Sequence, residues 1–250
     1  MKQVGIFTAT RWELAAVRRA FLIEEKTRVG GARCVIGRRG NGRLFLFQTG
    51  VGTAKAEAVC RRVFVSHTFD LAISSGFACA LTASHVGELL IGTEVIMHQA
   101  TARQPDAGRV IPGAGEVAAA TARAAAAAGL PARAGRFVTV PRVVWRAEEK
   151  RDIAAGTGAV GLDMESAAVG AAALERNIPF GIVRAVSDLL DEDLPFDFNL
   201  LLGPCGWARG TITCLARPSS LIALSRFRAQ TALASERMTR FWERFLDELD

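Results

Sequence analysis

The sequence predicts an α/β protein built on a mostly parallel, helix-covered sheet, and three observations carry that expectation. Short apolar runs of strand length alternate with longer amphipathic segments over the first 190 or so residues. One strong hairpin signal, Gly40-Asn41-Gly42, interrupts the alternation early on. Half of the residues are hydrophobic and 22% are charged, a balance that suits a folded globular chain rather than a disordered one.

Taken in order, Val4 to Thr8 is an apolar strand, and Arg11-Trp12-Glu13 opens an amphipathic helix running to Phe21. Gly30 and Gly31 open a turn, Cys34 to Gly37 forms a strand, and Leu44 to Thr49 returns beside it. Gly50-Val51-Gly52 leads into a helix over Ala54 to His67. Leu71 to Ser75 is a buried-type strand ending at Gly76, and Val86 to Met97 is a further strand region. Ala100 to Gly115 reads as a polar loop, followed by the alanine-rich helix Glu116 to Ala128, which Gly129 and Pro131 stop. Phe137 to Val140, Ala159 to Asp163 and Phe180 to Val186 are strands, with a small-residue helix over Glu165 to Arg176 before the last of them. Arg217 to Leu249 is helical and arginine-rich. It carries Leu221, Leu224, Phe227, Met238, Phe241, Trp242 and Phe245. With no repeat or linker in Met1 to Asp188, the chain reads as one domain over 1–250, with 217–249 as a C-terminal helical extension.

Composition narrows the function classes. A length of 250 residues is enough to bury a sizeable core without staples. The formal charge of +6 comes mostly from arginines that are scattered rather than gathered into a stripe. No aromatic-basic motif of a nucleic-acid module accompanies them, so no nucleic-acid partner is expected. Five cysteines, Cys34, Cys60, Cys79, Cys205 and Cys214, include no C-x-x-C pair, which suits free thiols in a reducing compartment. The N-terminus turns polar too soon for a signal peptide, and no uncharged apolar run reaches the roughly 20 residues of a membrane span. A cytoplasmic location follows as the expectation. His67, His85 and His98 lack ligand spacing, so no metal is expected.

Chemistry is expected beyond the carboxyl ends of the strands, where open α/β sheets bind their ligands. Those ends carry Arg11 and Glu13, then Gly50-Val51-Gly52, then Ser74-Ser75-Gly76-Phe77, then Asp163-Met164-Glu165, and finally Arg184-Ala185-Val186-Ser187-Asp188. Carboxylates from three strand ends would converge on one pocket. Each residue also has a plainer reading. Gly50-Val51-Gly52 lacks the third glycine of a dinucleotide fingerprint and reads as a tight turn. Glu13, Asp163 and Glu165 suit the first turn of a helix, where the dipole favours acids, and Asp188 begins a solvated acidic loop.

Five segments together resemble the nucleoside phosphorylase/nucleosidase superfamily: VGIFTATRWEL, FQTGVGTAKA, DLAISSGFACAL with VGELLIGTEV, GLDMESAAVGAAALERNIPF, and GIVRAVSD. The last two are specific to it. The resemblance implies a three-layer α/β/α fold around a twisted, partly barrel-like mixed sheet, and a homo-oligomer, dimer or trimer. It implies cleavage of a purine nucleoside with no cofactor, inorganic phosphate being a conceivable co-substrate. Asp188 matches the acid that serves purine N7, with Ser187 beside it, and Glu13 matches the glutamate that activates water in hydrolytic members. Glu165 matches the carboxylate that holds the ribose hydroxyls, next to Met164 under the sugar. Gly76 and Phe77 lie near the nucleophile, and Val144 or Trp145 near the base. Arg184 either orients the acidic loop or forms a structural ion pair; Arg11 is either a phosphate contact or solvated.

The run Gly76-Phe77-Ala78-Cys79-Ala80 departs from the family's hydrolases, which usually follow that glycine with a serine and two glycines. It leaves hydrolysis and phosphorolysis unseparated. VPRVVWRAEEKRDIAAGTGAVGLDMES, Leu194-Pro195 and the arginine-rich tail are similar to the hopanoid-associated phosphorylase branch. That branch implies an adenosine-type substrate with a bulky apolar 5′ group, as in adenosylhopane. Within the same chemistry, methylthioadenosine/adenosylhomocysteine nucleosidase is the alternative. A nicotinamide-dependent oxidoreductase and a non-catalytic nucleoside-binding protein are the alternatives of other classes. The 217–249 segment is then open to two readings: a helix lying peripherally on the inner membrane surface, or one packed on the protein.

Overall fold

One buried strand, β5 (Leu71–Ala80), organises the architecture by changing partners along its length. The computed structural model describes residues 2–40, 42–98, 109–202 and 218–249. Asn41, Cys205, Cys214 and most of the expected 100–115 loop lie outside them. β5 pairs in parallel with β1 (Lys2–Thr8) through Val4↔Leu71 to Phe7↔Ser74. From Cys79 it pairs instead with the short antiparallel β9 (Gly161–Asp163). Its other edge runs parallel to β10 (Phe180–Asp188) almost throughout.

β10 continues into antiparallel β6 (Leu89–Met97), which pairs in parallel with β8 (Ala132–Thr139), and β8 pairs with β9. Since β9 returns to β5, these five strands close into a small barrel. Beyond β1 the sheet opens out through β4 (Gly42–Gln48), β3 (Ala32–Arg39) and β2 (Leu22–Val29). The antiparallel β3–β4 pair is the hairpin expected at Gly40-Asn41-Gly42. β7 (Ile111–Pro112) is a two-residue addition to β6. The sheet is thus mixed, twisted and partly barrel-like.

Helices cover both faces. α2 (Thr53–Ser66) and α5 (Ser166–Leu174) bury Val59, Val63, Phe64, Ala167 and Ala173 against Phe7, Phe45 and Phe47 of the sheet. On the opposite face lie α1 (Arg11–Arg18), α3 (Gly115–Ala127) and α7 (Pro218–Phe245), packed on Val4, Ile6, Leu46, Ile73 and Val183. Two further helices, α4 (Ala147–Thr157) and α6 (Asn199–Leu202), flank the barrel end.

The expected C-terminal helix is present as α7, and its second half is core. Met238, Phe241, Trp242 and Phe245 recur at helical spacing and are fully buried. These aromatics face the sheet and are not free to cover lipid, so this part of the segment follows the packed reading. The first half is more open, with Ile222 75% exposed. Among the described residues no helix is long and apolar enough to cross a membrane.

Besides the short β7 and α6, two longer elements were not expected from sequence. β2 (LIEEKTRV) shows no clean alternation because, as an edge strand, it is exposed over most of its length. α4 (AEEKRDIAAGT) buries only Ala147, Lys150, Ile153 and Thr157, too thin a stripe to announce itself.

Candidate active site

Between Ser74, where β5 leaves β1, and Cys79, where it joins β9, one edge of β5 has no strand partner. Backbone groups there must find other partners. The Phe77 N–H donates to Glu13 Oε1 at 2.8 Å, and the Phe77 carbonyl accepts from Arg184 Nη1 at 3.1 Å. A cavity of about 160 Å³ opens at this split. Its lining includes Glu13, Phe77, Val143, Val144, Asp163, Met164, Glu165, Arg184, Ser187 and Asp188. The carboxylates at the ends of β1, β9 and β10 therefore do meet in one place. A larger hollow of about 330 Å³ lies beside α2 and α5. Its charged residues are Glu57, Arg61, Arg109 and Glu175, of which Glu57 and Arg61 are surface groups paired to each other, and it gathers no comparable cluster of carboxylates.

Glu13 sits at the third position of α1 and closes a capping box with Thr10. Its Oε2 accepts from the Ala9 N–H at 3.0 Å, the Thr10 N–H at 2.7 Å and the Thr10 hydroxyl at 3.0 Å. The plain helix-acid reading and the place on the cavity wall both hold. Gly76 is required beside it, because a Cβ there would stand 2.2 Å from Glu13 Oε1.

Arg184, 2% exposed, is the hub of the wall. Its Nε lies 2.9 Å from Asp163 Oδ2, an ion pair outside hydrogen-bond alignment. Its Nη2 donates to the Ser74 and Ser166 hydroxyls at 2.9 and 3.2 Å and lies 3.4 Å from Glu165 Oε2. Glu13 Oε1 is 3.9 Å from Nη1. Burial works against the guanidinium charge, but the three surrounding carboxylates outweigh it and hold the proton more tightly than usual. Arg184 is thus the ion-pair centre of the wall.

Asp163 caps α5, its Oδ1 accepting from the Glu165 and Ser166 N–H groups, both at 3.2 Å, and from the Thr139 hydroxyl at 2.7 Å. Glu165 follows it, with Oε1 accepting from the Gly52 N–H at 2.9 Å. Burial, reinforced by Asp163 and Glu13 and opposed by Arg184 and the Gly52 N–H, pushes the Glu165 carboxyl up to about 7. The Gly50-Val51-Gly52 turn therefore spends a glycine N–H, at φ +100°, on a side-chain carboxylate. That arrangement gives no support to a pyrophosphate site or to the oxidoreductase reading.

At the far end of the cavity, Asp188 Oδ1 accepts from the Ser187 hydroxyl at 2.9 Å, and Oδ2 accepts from Lys150 Nζ at 2.8 Å. Lys150, on α4, was not foreseen. It falls on the apolar stripe Ala147–Ile153–Thr157, and that misplaced charge was the available signal. The remaining candidates divide. Met164 lines the cavity, and its carbonyl accepts from the Thr53 hydroxyl at 2.9 Å. Val144 also lines it, whereas the Trp145 ring lies under Arg146, 4.2 Å from the guanidinium carbon. Arg11 is exposed, stacked over Trp12 at 4.9 Å, and stands apart from the cavity.

The model of the phosphorylase superfamily matches residues 3–202. The chain belongs to that superfamily, and so to the enzymes that cleave nucleoside glycosyl bonds. Solved structures share its fold over nearly their full length. A Helicobacter pylori 5′-methylthioadenosine/S-adenosylhomocysteine nucleosidase with butyl-thio-DADMe-Immucillin-A is 18% identical, with a TM-score of 0.79 and 99% of each chain covered. Helicobacter pylori futalosine hydrolase is 17% identical, with a TM-score of 0.78, 99% of this chain and 98% of that one. The Neisseria meningitidis methylthioadenosine/adenosylhomocysteine nucleosidase in complex with methylthio-immucillin-A is 22% identical, with a TM-score of 0.74, 97% of this chain and 99% of that one.

Proposed function

We propose that the chain releases adenine from an adenosine-type nucleoside carrying a bulky apolar 5′ substituent, adenosylhopane-like, with water as the nucleophile. The observation that carries the water assignment is electrostatic. Four carboxylates, Glu13, Asp163, Glu165 and Asp188, line the cavity, against a single lining guanidinium, Arg184, among the described residues. Arg184 is already neutralised by its own partners. A phosphate dianion would enter an acidic site with no free cation among the described residues to meet it, whereas a neutral water and a cationic transition state suit that site.

The roles follow from charge. As the C1′–N9 bond lengthens, the sugar becomes an oxocarbenium ion, and Glu165 holds the 2′- and 3′-hydroxyls beneath that charge. Asp188, protonated from solvent as the substrate binds, passes that proton to N7, so adenine leaves neutral. Water attacks C1′ and gives its proton to Glu13. General-acid help of this kind is worth about 10²–10⁴-fold. The apolar 5′ group rests on the resemblance of the sequence, and the half-buried Val51 and Phe77 supply apolar surface for it.

The deciding measurement is adenine release from methylthioadenosine and from an adenosine with a long alkyl 5′ group, each with and without phosphate. Phosphate-independent release from the alkyl substrate, at a kcat/KM at least tenfold above methylthioadenosine, is expected. Phosphate dependence would overturn the water assignment. Preference for methylthioadenosine would move the chain to the sulfur-nucleoside nucleosidases.

A further inference from the structure

We propose that Lys150 is a positioning residue for leaving-group protonation: it fixes the Asp188 carboxyl and the turn after it, so that the acid is an aspartate–lysine pair. The inference rests on the reading of Asp188 as the group that meets purine N7.

A lysine that is 0% exposed needs a reason, because burying an unpaired ammonium is expensive. Lys150 has three N–H donors, and each has an acceptor. They are Asp188 Oδ2 at 2.8 Å, the Glu192 carbonyl at 2.9 Å and the Leu189 carbonyl at 3.1 Å. All three acceptors belong to one short stretch that begins at Asp188. Burial disfavours the charged form, but the Asp188 carboxylate outweighs it, so Lys150 stays protonated more firmly than an ordinary lysine. The neighbouring Cys79 is pushed well up by burial and remains a neutral thiol. Lysine and carboxylate are thus the charged groups of this corner, with Ser187 on the other carboxylate oxygen.

The chemistry gives the pair its use. Asp188 takes up one proton from solvent as the substrate binds and shares it with N7, and that proton moves to N7 as the C1′–N9 bond breaks. Negative charge then concentrates on the Asp188 carboxylate, 2.8 Å from an ammonium that keeps its own proton. Lys150 contacts neither the sugar nor the base in this scheme. Its whole effect passes through Asp188.

The test is a double-mutant cycle on the full-length chain, read as adenine release from the alkyl-substituted nucleoside. Lys150→Met is expected to lower kcat by about 10²-fold or more while KM changes less than about threefold, the size of a general-acid contribution. In an Asp188→Asn background, adding Lys150→Met is expected to change kcat by less than about twofold, because nothing remains for the lysine to act through. The double variant removes both charges, so it carries the test if Lys150→Met alone does not fold. Full activity in Lys150→Met, or a further large loss in the Asp188→Asn background, overturns the inference and leaves the proposed function standing. Absence of adenine release by the wild-type chain defeats both.

Discussion

Under the proposed function, two demands on the Glu165 carboxyl conflict. Holding ribose hydroxyls and a cationic sugar requires the ionised form, yet burial with Asp163 and Glu13 nearby raises the carboxyl to about 7. A carboxyl raised in the folded state above its unfolded value stabilises the fold fully below the unfolded value, and that contribution fades as pH rises through about 7. Activity runs the other way. kcat/KM should fall about tenfold per unit of pH below about 7, as the carboxylate is protonated. Glu165→Gln should flatten that limb and cost about 10²–10³-fold in kcat, the size of a lost transition-state contact. A pH–rate profile of both proteins checks this, and an acid limb that survives unchanged in Glu165→Gln would assign it to another group. The acids at 163 and 165 were legible in the sequence because they sit on a strand-to-helix turn. The rise at Glu165 was not, since it depends on burial and on Glu13 being brought beside it from a distant part of the chain, with Arg184 and Gly52 only partly offsetting it.

Among the elements, α4 shows how the acidic loop is held. Its N-cap residue, Arg146, makes no side-chain cap; instead Asp193 Oδ1 accepts from the Ala147 N–H at 2.7 Å. The Leu194 N–H then donates to the Trp145 carbonyl at 2.8 Å. Helix start and loop end therefore fasten each other, with Lys150 one turn further along the same helix. Asp193→Ala should cost about 1 kcal/mol, as for a lost cap, which lowers the melting temperature by roughly 2–4 °C in a chain of this size. Adenine release should drop several-fold with it, because the loop carries Asp188 at its start. Asp193→Asn should restore most of both. An Asp193→Ala protein with unchanged melting and unchanged rate would mean that the loop is held elsewhere. None of this could be read from AEEKRDI, where the acids suggest a solvated face and the capping group lies outside the helix. The neighbouring strand pattern was easier. β1, β5 and β10 are buried on both faces and read as continuous apolar runs, whereas β2 has only an edge to offer.

For the whole molecule, the unresolved choice in the sequence was where the aromatics of the C-terminal helix point, because an amphipathic stripe fits a membrane surface and a sheet face equally well. Packing decides it for the second half of α7. Trp242 is fully buried, and its Nε1–H donates to Ser75 Oγ at 3.1 Å, on the very strand that splits to form the cavity. Thr239 donates to the Ala16 carbonyl of α1 at 2.9 Å, and Arg240 to the Ala128 carbonyl after α3, also at 2.9 Å. The family match ends at residue 202, but the third layer is not closed without these contacts. Trp242→Ala should therefore cost about 3–5 kcal/mol, as for other large core truncations, and it leaves Ser75 without its donor. A chain ending at residue 217 would strip Met238, Phe241, Trp242, Phe245 and Leu246 from the face built by Ile6, Leu46, Ile73 and Val183. An uncovered apolar patch of that kind drives aggregation in a monomeric protein. The expected outcome is an insoluble chain, or one with no cooperative melting transition by circular dichroism and no adenine release. A 1–217 chain that melts cooperatively and keeps its activity would show instead that α1 and α3 alone close the layer, and that α7 is dispensable to the site it lies behind.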